Sequence, residues 1–282
     1  MSSDYAVYKK LVTQLLQDEE VLPSLPSLTF EIRSAINAPN TTLPKLEQLI
    51  SRDPALSALL VKQASSALYR QARAPQNLRD VISLLGMKQL GVVTMSHSLK
   101  SLFTLYSPAY KRLFVEMWER MVEKAATCSV LARKLGRIAP EHALLACLLS
   151  EVGSLVILSA FRSEVEPPKP EDYFRLCRQY SQSLGVMLLK RWQVEEEYID
   201  VIRHAGQWDY CSSPWLETVD LVNLTLHQAI SARDKKADIP AIEALAAYQK
   251  LTPPFDQLNV LGRLRLISES QKDIAEVART LR

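Results

Sequence analysis

Glycine is scarce, with 7 in 282 residues against 15 prolines. Tight β-hairpins place glycine at positive φ, so a hairpin-rich architecture is excluded. The same scarcity leaves little from which to build phosphate-cradling loops, and the chain contains no P-loop, GxGxxG or GxSxG pattern. Cys128, Cys147, Cys177 and Cys211 form no CxxC pair and read as reduced thiols rather than a disulfide framework. No cysteine stands at zinc-ligand spacing from His97, His142, His204 or His227, so no metal or other cofactor is expected. The opening residues, MSSDYAVYKK, lack the apolar core of a secretory signal, and a cytoplasmic location is expected. A basic stripe is also missing. Lys and Arg number 34 against 31 Asp and Glu, which does not fit a dedicated nucleic-acid binder. The densest basic run, Arg233 to Lys236, is interrupted by Asp234 and reads as a solvated loop.

What the chain does have is helical periodicity. Apolar residues are 48% of the total and recur at three- and four-residue spacing, while no alternating β-branched run is long enough for a strand. The predicted class is all-α and multi-helical. Asp53-Pro54 should start a helix whose buried face carries Leu56, Leu59, Leu60 and Ala64. Asn77 should cap another, stopped at Gly86. Longer helices are predicted over 109–135, 141–161, 171–191, 194–205, 215–233, 240–250 and 255–280. Breaks are expected at Glu164–Pro170 and at Pro253-Pro254. A softer boundary at Ser107-Pro108 divides the chain into an N-terminal helical lobe, 1–107, packed on a C-terminal helical lobe, 108–282. From Ala143 to Phe161 the only charge is Glu151, and the length is that of a membrane span. Ser150, Glu151, Gly153 and Ser154 lie at its centre, where lipid would penalise them, so it reads as a buried helix pair broken near Gly153 and no membrane partner is expected.

Four phrases in the first lobe occur in a telling order: Leu22-Pro23-Ser24-Leu25-Pro26, Leu49-Ile50-Ser51-Arg52-Asp53-Pro54-Ala55-Leu56-Ser57, Gln63-Ala64-Ser65-Ser66-Ala67-Leu68-Tyr69 and Val81-Ile82-Ser83-Leu84-Leu85-Gly86. In the second lobe come Trp118, Leu148-Leu149-Ser150-Glu151-Val152-Gly153, Gly185, Trp192 and Val201-Ile202-Arg203-His204. Over about residues 20–230 this resembles the HDOD family, the HD-related output domains of bacterial signalling proteins. The family usually has Asn-Ser where this chain has Ser65-Ser66. The resemblance implies a C-terminal lobe like that of HD phosphohydrolases, which use a bound divalent metal to polarise phosphate and activate water.

Position by position, the resemblance places the motif's first His on Arg120, its His-Asp pair on Ser150-Glu151 and its last Asp near Leu226, with Asp220 the competitor for that place. Of the further His positions in related cyclic-dinucleotide phosphodiesterases, one falls on Ser181, and of a His-His pair only His204 remains, followed by Ala205. Arg120 adds a permanent positive charge where a cation would bind. The expected function is therefore a non-catalytic signal-transduction module that binds a signalling protein or a small ligand in trans. Two alternatives stand beside it. One is a phosphoester hydrolase using Arg120 for phosphate charge and Glu151 as base. The other is weak nucleic-acid association through Arg70, Arg73, Arg79 and Tyr69, disfavoured by the charge pattern. An ion pair between Arg120 and Glu151 is expected to fill the old metal site.

Overall fold

A computed structural model describes residues 7–9, 11–13, 25–69, 75–103, 108–161, 168–234 and 237–282. Among them there is no strand, only an isolated antiparallel bridge between Leu258 and Leu264, so the chain is all-α. Two compact units are present. One comprises residues 25–105 and 276–282; the other comprises 1–24 and 106–275. Residues 276–282 thus belong with the first unit, an arrangement the linear division at Pro108 does not contain.

The smaller unit is built from α1 (Ser27–Asn37), α2 (Leu43–Ile50), α3 (Pro54–Ala64) and α4 (Leu78–Phe103). The start of α3 follows from its first two residues. The Asp53 carboxylate accepts the Leu56 amide at 2.9 Å, and Pro54 occupies the first turn, where a missing N–H leaves no carbonyl unsatisfied. Gly86, at φ 74° and ψ 167°, ends the first segment of α4 as its sequence predicts, but a second segment restarts at once. Ile32, Leu46, Ile50, Leu56, Leu60, Ile82 and Leu90 make a common core, each contributing about 1.5–3 kcal/mol through burial. The other carboxylate oxygen of Asp53 lies 3.0 Å from His97 Nε2, so this residue ties α3 to α4 as well as capping α3.

The larger unit holds α5 (Pro108–Leu135), α6 (Pro140–Ser150), α7 (Val152–Ala160), α8 (Pro170–Arg191), α9 (Glu196–His204) and α10 (Thr218–Arg233). Three short helices follow, α11 (Ala246–Gln249), α12 (Arg265–Glu269) and α13 (Gln271–Leu281), the last of which ends in the smaller unit. The apolar stretch from 140 to 160 is long enough to cross a membrane by length and composition, yet 83% of its most apolar window is buried inside the protein. It forms two helices that break at Glu151, as the polar cluster at its centre implies.

Two predicted helices are corrected. Residues 240–250 form only a 3-10 turn, Ile242–Ala244, and the single turn α11. Residues 255–264 are not helical. Asn259 Oδ1 accepts the amides of Leu261 and Arg263 at 2.9 and 3.1 Å, and the Asn259 amide donates to the Arg263 carbonyl at 2.8 Å. This local network offers the backbone a better set of partners than the helix would. Gly262, at φ 67°, supplies the left-handed residue that the turn needs.

Candidate functional site

Close helix packing sets the geometry of the larger unit. A Cβ added to Gly153 would lie 1.7 Å from the Ser181 carbonyl oxygen and 2.8 Å from the Gly185 amide nitrogen. Helices α7 and α8 therefore cross backbone against backbone, which only glycine permits. The crossing carries Tyr173 beneath the α6–α7 break, where its buried hydroxyl donates to the Ser154 carbonyl at 2.9 Å. Glu151 sits at that break, Ser150 turns its hydroxyl back to the Cys147 carbonyl at 2.7 Å, and Ser181 lies on the far side of the crossing.

The cation that meets Glu151 is Lys124, not Arg120. Lys124 Nζ forms a salt bridge with Glu151 Oε1, with side chains 16% and 27% exposed. The expected Arg120–Glu151 pair is corrected: Lys124 stands one turn further along the same face of α5 and reaches the carboxylate instead. Arg120 has a different environment. Its guanidinium lies 4.8 Å above the Phe174 ring, a cation–π contact. Its carboxylate neighbour, Glu116, is 4.0 Å from Nη2, beyond hydrogen-bond reach. Nη1 is buried without any hydrogen-bond partner. Burial, followed by the charge of Arg233, lowers the Arg120 pKa.

Neighbouring groups are held neutral. Burial pushes the Cys177 thiol up to about 12, with Glu151 adding to the shift, so it is no nucleophile at neutral pH. Burial and Cys177 likewise raise the Tyr173 hydroxyl well above its ordinary value.

His204 belongs to a second cluster, and Leu226 approaches the turn that follows it. The His204 ring stacks on Tyr210 at 3.8 Å between centroids, and its Nδ1 lies 2.9 Å from the Asp200 carbonyl, which accepts its proton. Leu226 Cδ2 would be 3.8 Å from a Cβ at Gly206, two residues after His204. Asn223 holds this corner by accepting the Gly206 amide at 2.8 Å and donating to the Gln207 carbonyl at 3.1 Å. Gln182, next to Ser181, donates to the Ile202 and Arg203 carbonyls at 3.0 and 2.6 Å and links α8 to α9.

Asp220 has a structural role. It is 1% exposed, accepts both oxygens' worth of contact from Lys250 Nζ at 2.9 Å, and accepts the Glu217 amide at 2.7 Å. Burial raises its pKa against the pull of Lys250. Among the described residues no group of three or more His, Cys, Asp and Glu could hold a metal ion. The side chains at the HD-related positions do not fit the divalent cation of that family's hydrolases.

The chain matches the family model for the HDOD domain over residues 22–208. It belongs to the HDOD family. A protein from Treponema pallidum (strain Nichols) is 25% identical over 236 residues, covering 77% of this chain. The chain spans 44% of the length of that relative, whose function is uncharacterised. The fold is that of a candidate metal-dependent phosphohydrolase from Shewanella amazonensis SB2B, with a TM-score of 0.75, 20% identity and 100% of both chains covered. It is also that of an HDOD domain protein of unknown function from Geobacter sulfurreducens, with a TM-score of 0.65, 18% identity and 96% of each chain covered.

Sequence reasoning missed Lys124, Phe174 and Lys250. Lys124 alone carried a signal, its four-residue spacing from Arg120 on an amphipathic helix.

Proposed function

We propose that this HDOD chain is a signal-transduction module that works by binding and not by metal-dependent phosphoester hydrolysis. The observation that carries the reading is the state of the carboxylates in the HD-like unit. Glu151 is neutralised by Lys124, and Asp220 is committed to Lys250 and to the start of α10. A divalent ion requires free carboxylate or imidazole donors that converge, and here they are paired and apart. The former metal positions are Arg120, Ser150, Glu151, Ser181, His204 and Leu226, and the partner is a signalling protein or a small ligand, met in the cytoplasm. A solved candidate signal-transduction protein from Marinobacter aquaeolei VT8 shares the fold, with a TM-score of 0.62, 20% identity and 99% of this chain covered against 66% of that one.

Hydrolysis by Arg120 and Glu151 is the weaker reading, because a carboxylate held in a salt bridge is a poor general base. Nucleic-acid binding has less support still. Arg79 pairs with Glu47 at 2.5 Å, while Arg70, Arg73, Lys235 and Lys236 lie outside the described residues. The test is turnover of bis(p-nitrophenyl) phosphate and a cyclic dinucleotide with Mn2+, Fe2+ or Mg2+. No metal-dependent rate above the Glu151→Ala background is expected; a rate lost on that substitution would overturn the reading.

A further inference from the structure

The smaller unit holds a cavity of about 470 Å3, within the range of about 300–1,000 Å3 in which proteins seat small molecules. Three helices wall it: α3 through Ala55 and Leu59, the second segment of α4 through Val93, and the end of α13 through Leu281. The same face of α4 also brings Ser96, His97, Lys100 and Ser101, which follow Val93 at helical spacing. Thr280 completes the lining, and no carboxylate belongs to it. None of the HD-related positions lies here.

The hydrogen bonds of the polar wall residues define what could occupy the cavity. Lys100 Nζ donates to the Arg282 main-chain oxygen, the Ser101 hydroxyl to the Ser98 carbonyl at 2.9 Å and the Thr280 hydroxyl to the Val277 carbonyl at 2.7 Å. Two groups differ. The Ser96 hydroxyl has no partner although the residue is 2% exposed, a state that native proteins avoid unless something completes it. His97, with its side chain 20% exposed, spends Nε2 on Asp53 at 3.0 Å. A carboxylate only accepts, so Nε2 carries the proton and the neutral ring keeps Nδ1 as a bare acceptor. An occupant must therefore donate to an imidazole nitrogen, meet a hydroxyl and lie against aliphatic walls. A charged head has no counter-ion waiting for it, because Lys100 is already engaged.

We infer that this cavity binds a small uncharged molecule with an apolar body and one O–H donor, a phenol or an alcohol. His97 Nδ1 accepts from the ligand hydroxyl, Ser96 donates to its oxygen, and Leu59, Val93 and Leu281 hold the body. The inference rests on the reading of this chain as a binding module and names the class of ligand. Asp53 also caps α3, so an occupant bonded to His97 acts on the residue that fixes the start of that helix.

NMR titration of the isotope-labelled protein at pH 7 tests it with three matched probes. These are 4-propylphenol, 4-propylanisole, whose donor is masked by a methyl group, and 4-propylbenzoate, which is charged. Saturable binding of 4-propylphenol is expected, with a shift of the His97 Nδ1 resonance, and binding of the other two should be fivefold or more weaker. His97→Phe and Ser96→Ala should each weaken 4-propylphenol severalfold and leave 4-propylanisole unchanged. Ala55 is exposed, so Ala55→Trp can fill the cavity without disturbing the core and should abolish binding. Val61→Trp, at a 48% exposed position of the same helix outside the cavity, should not. Circular dichroism of each variant separates lost binding from lost folding. No saturable binding of 4-propylphenol, or binding that survives Ala55→Trp in a folded variant, would overturn the site. Equal affinity for 4-propylanisole, or tighter binding of 4-propylbenzoate, would overturn the ligand class. Repeating the phosphodiester assay with 4-propylphenol bound keeps the two readings apart. A metal-dependent rate then refutes the non-catalytic function and leaves the site, whereas absence of both binding and turnover refutes the site alone.

Discussion

Asp220–Lys250 and Arg120 are two answers to the same problem, a charge taken partly out of water in one helical unit. Asp220 and Lys250 are 1% and 6% exposed, and each carboxylate oxygen lies 2.9 Å from Nζ. The Glu217 amide adds a further bond, so the pair is closed. Arg120 is less deeply buried and worse satisfied: an aromatic face, a distant carboxylate and an orphaned N–H. A fully answered buried charge is a structural element; a half-answered one adds little to stability. The Lys124–Glu151 pair stands between them, closed but wetter.

That contrast can be broken experimentally. The largest effect should come from Lys250→Met, which leaves Asp220 buried and unpaired; a loss of about 3–5 kcal/mol is expected in urea denaturation. Gly153→Ala should follow, at about 1–3 kcal/mol or more, because the new methyl meets the Ser181 carbonyl within a crossing that cannot open cheaply. Lys124→Met, at a partly exposed pair, should cost less than Lys250→Met, about 1–2 kcal/mol by the same measurement. Arg120→Gln should change stability by less than about 0.5 kcal/mol, since it removes no good hydrogen bond. A loss as large as that of Lys250→Met would erase the distinction.

The remaining effect is a pH dependence. Burial raises the folded Cys177 thiol to about 12, above its unfolded value, so between roughly pH 9 and 12 the unfolded state binds fewer protons than the folded one. Stability must then fall as pH rises through that window, by up to about 1.4 kcal/mol per unit from this thiol. Cys177→Ala should flatten the slope by that amount.

Local chemistry made the helix starts legible. Asp53-Pro54 and Gly86 act as their residue types dictate, because caps and stops depend on a few adjacent atoms. The stretch 255–264 was misread because its apolar spacing suits a helix, while Asn259 closes a turn whose bonds only the folded backbone reveals. At the candidate site the partners of the charged residues were not readable. Arg120 and Lys124 share a face of α5, and nothing in the sequence says which one meets Glu151; the crossing at Gly153 and Gly185 decides it. The importance of Lys250 was equally hidden, since it lies thirty residues from Asp220 and reaches it only through the packing of α11 on α10.

The central claim, that the HD-like unit is no longer a metal centre, is tested most directly by titrating the protein with Mn2+ and counting bound ion by elemental analysis after gel filtration. The account predicts no saturable site and far less than one ion per chain, in the parent and in Glu151→Ala alike. About one ion per chain in the parent, lost in Glu151→Ala or His204→Ala, would contradict it.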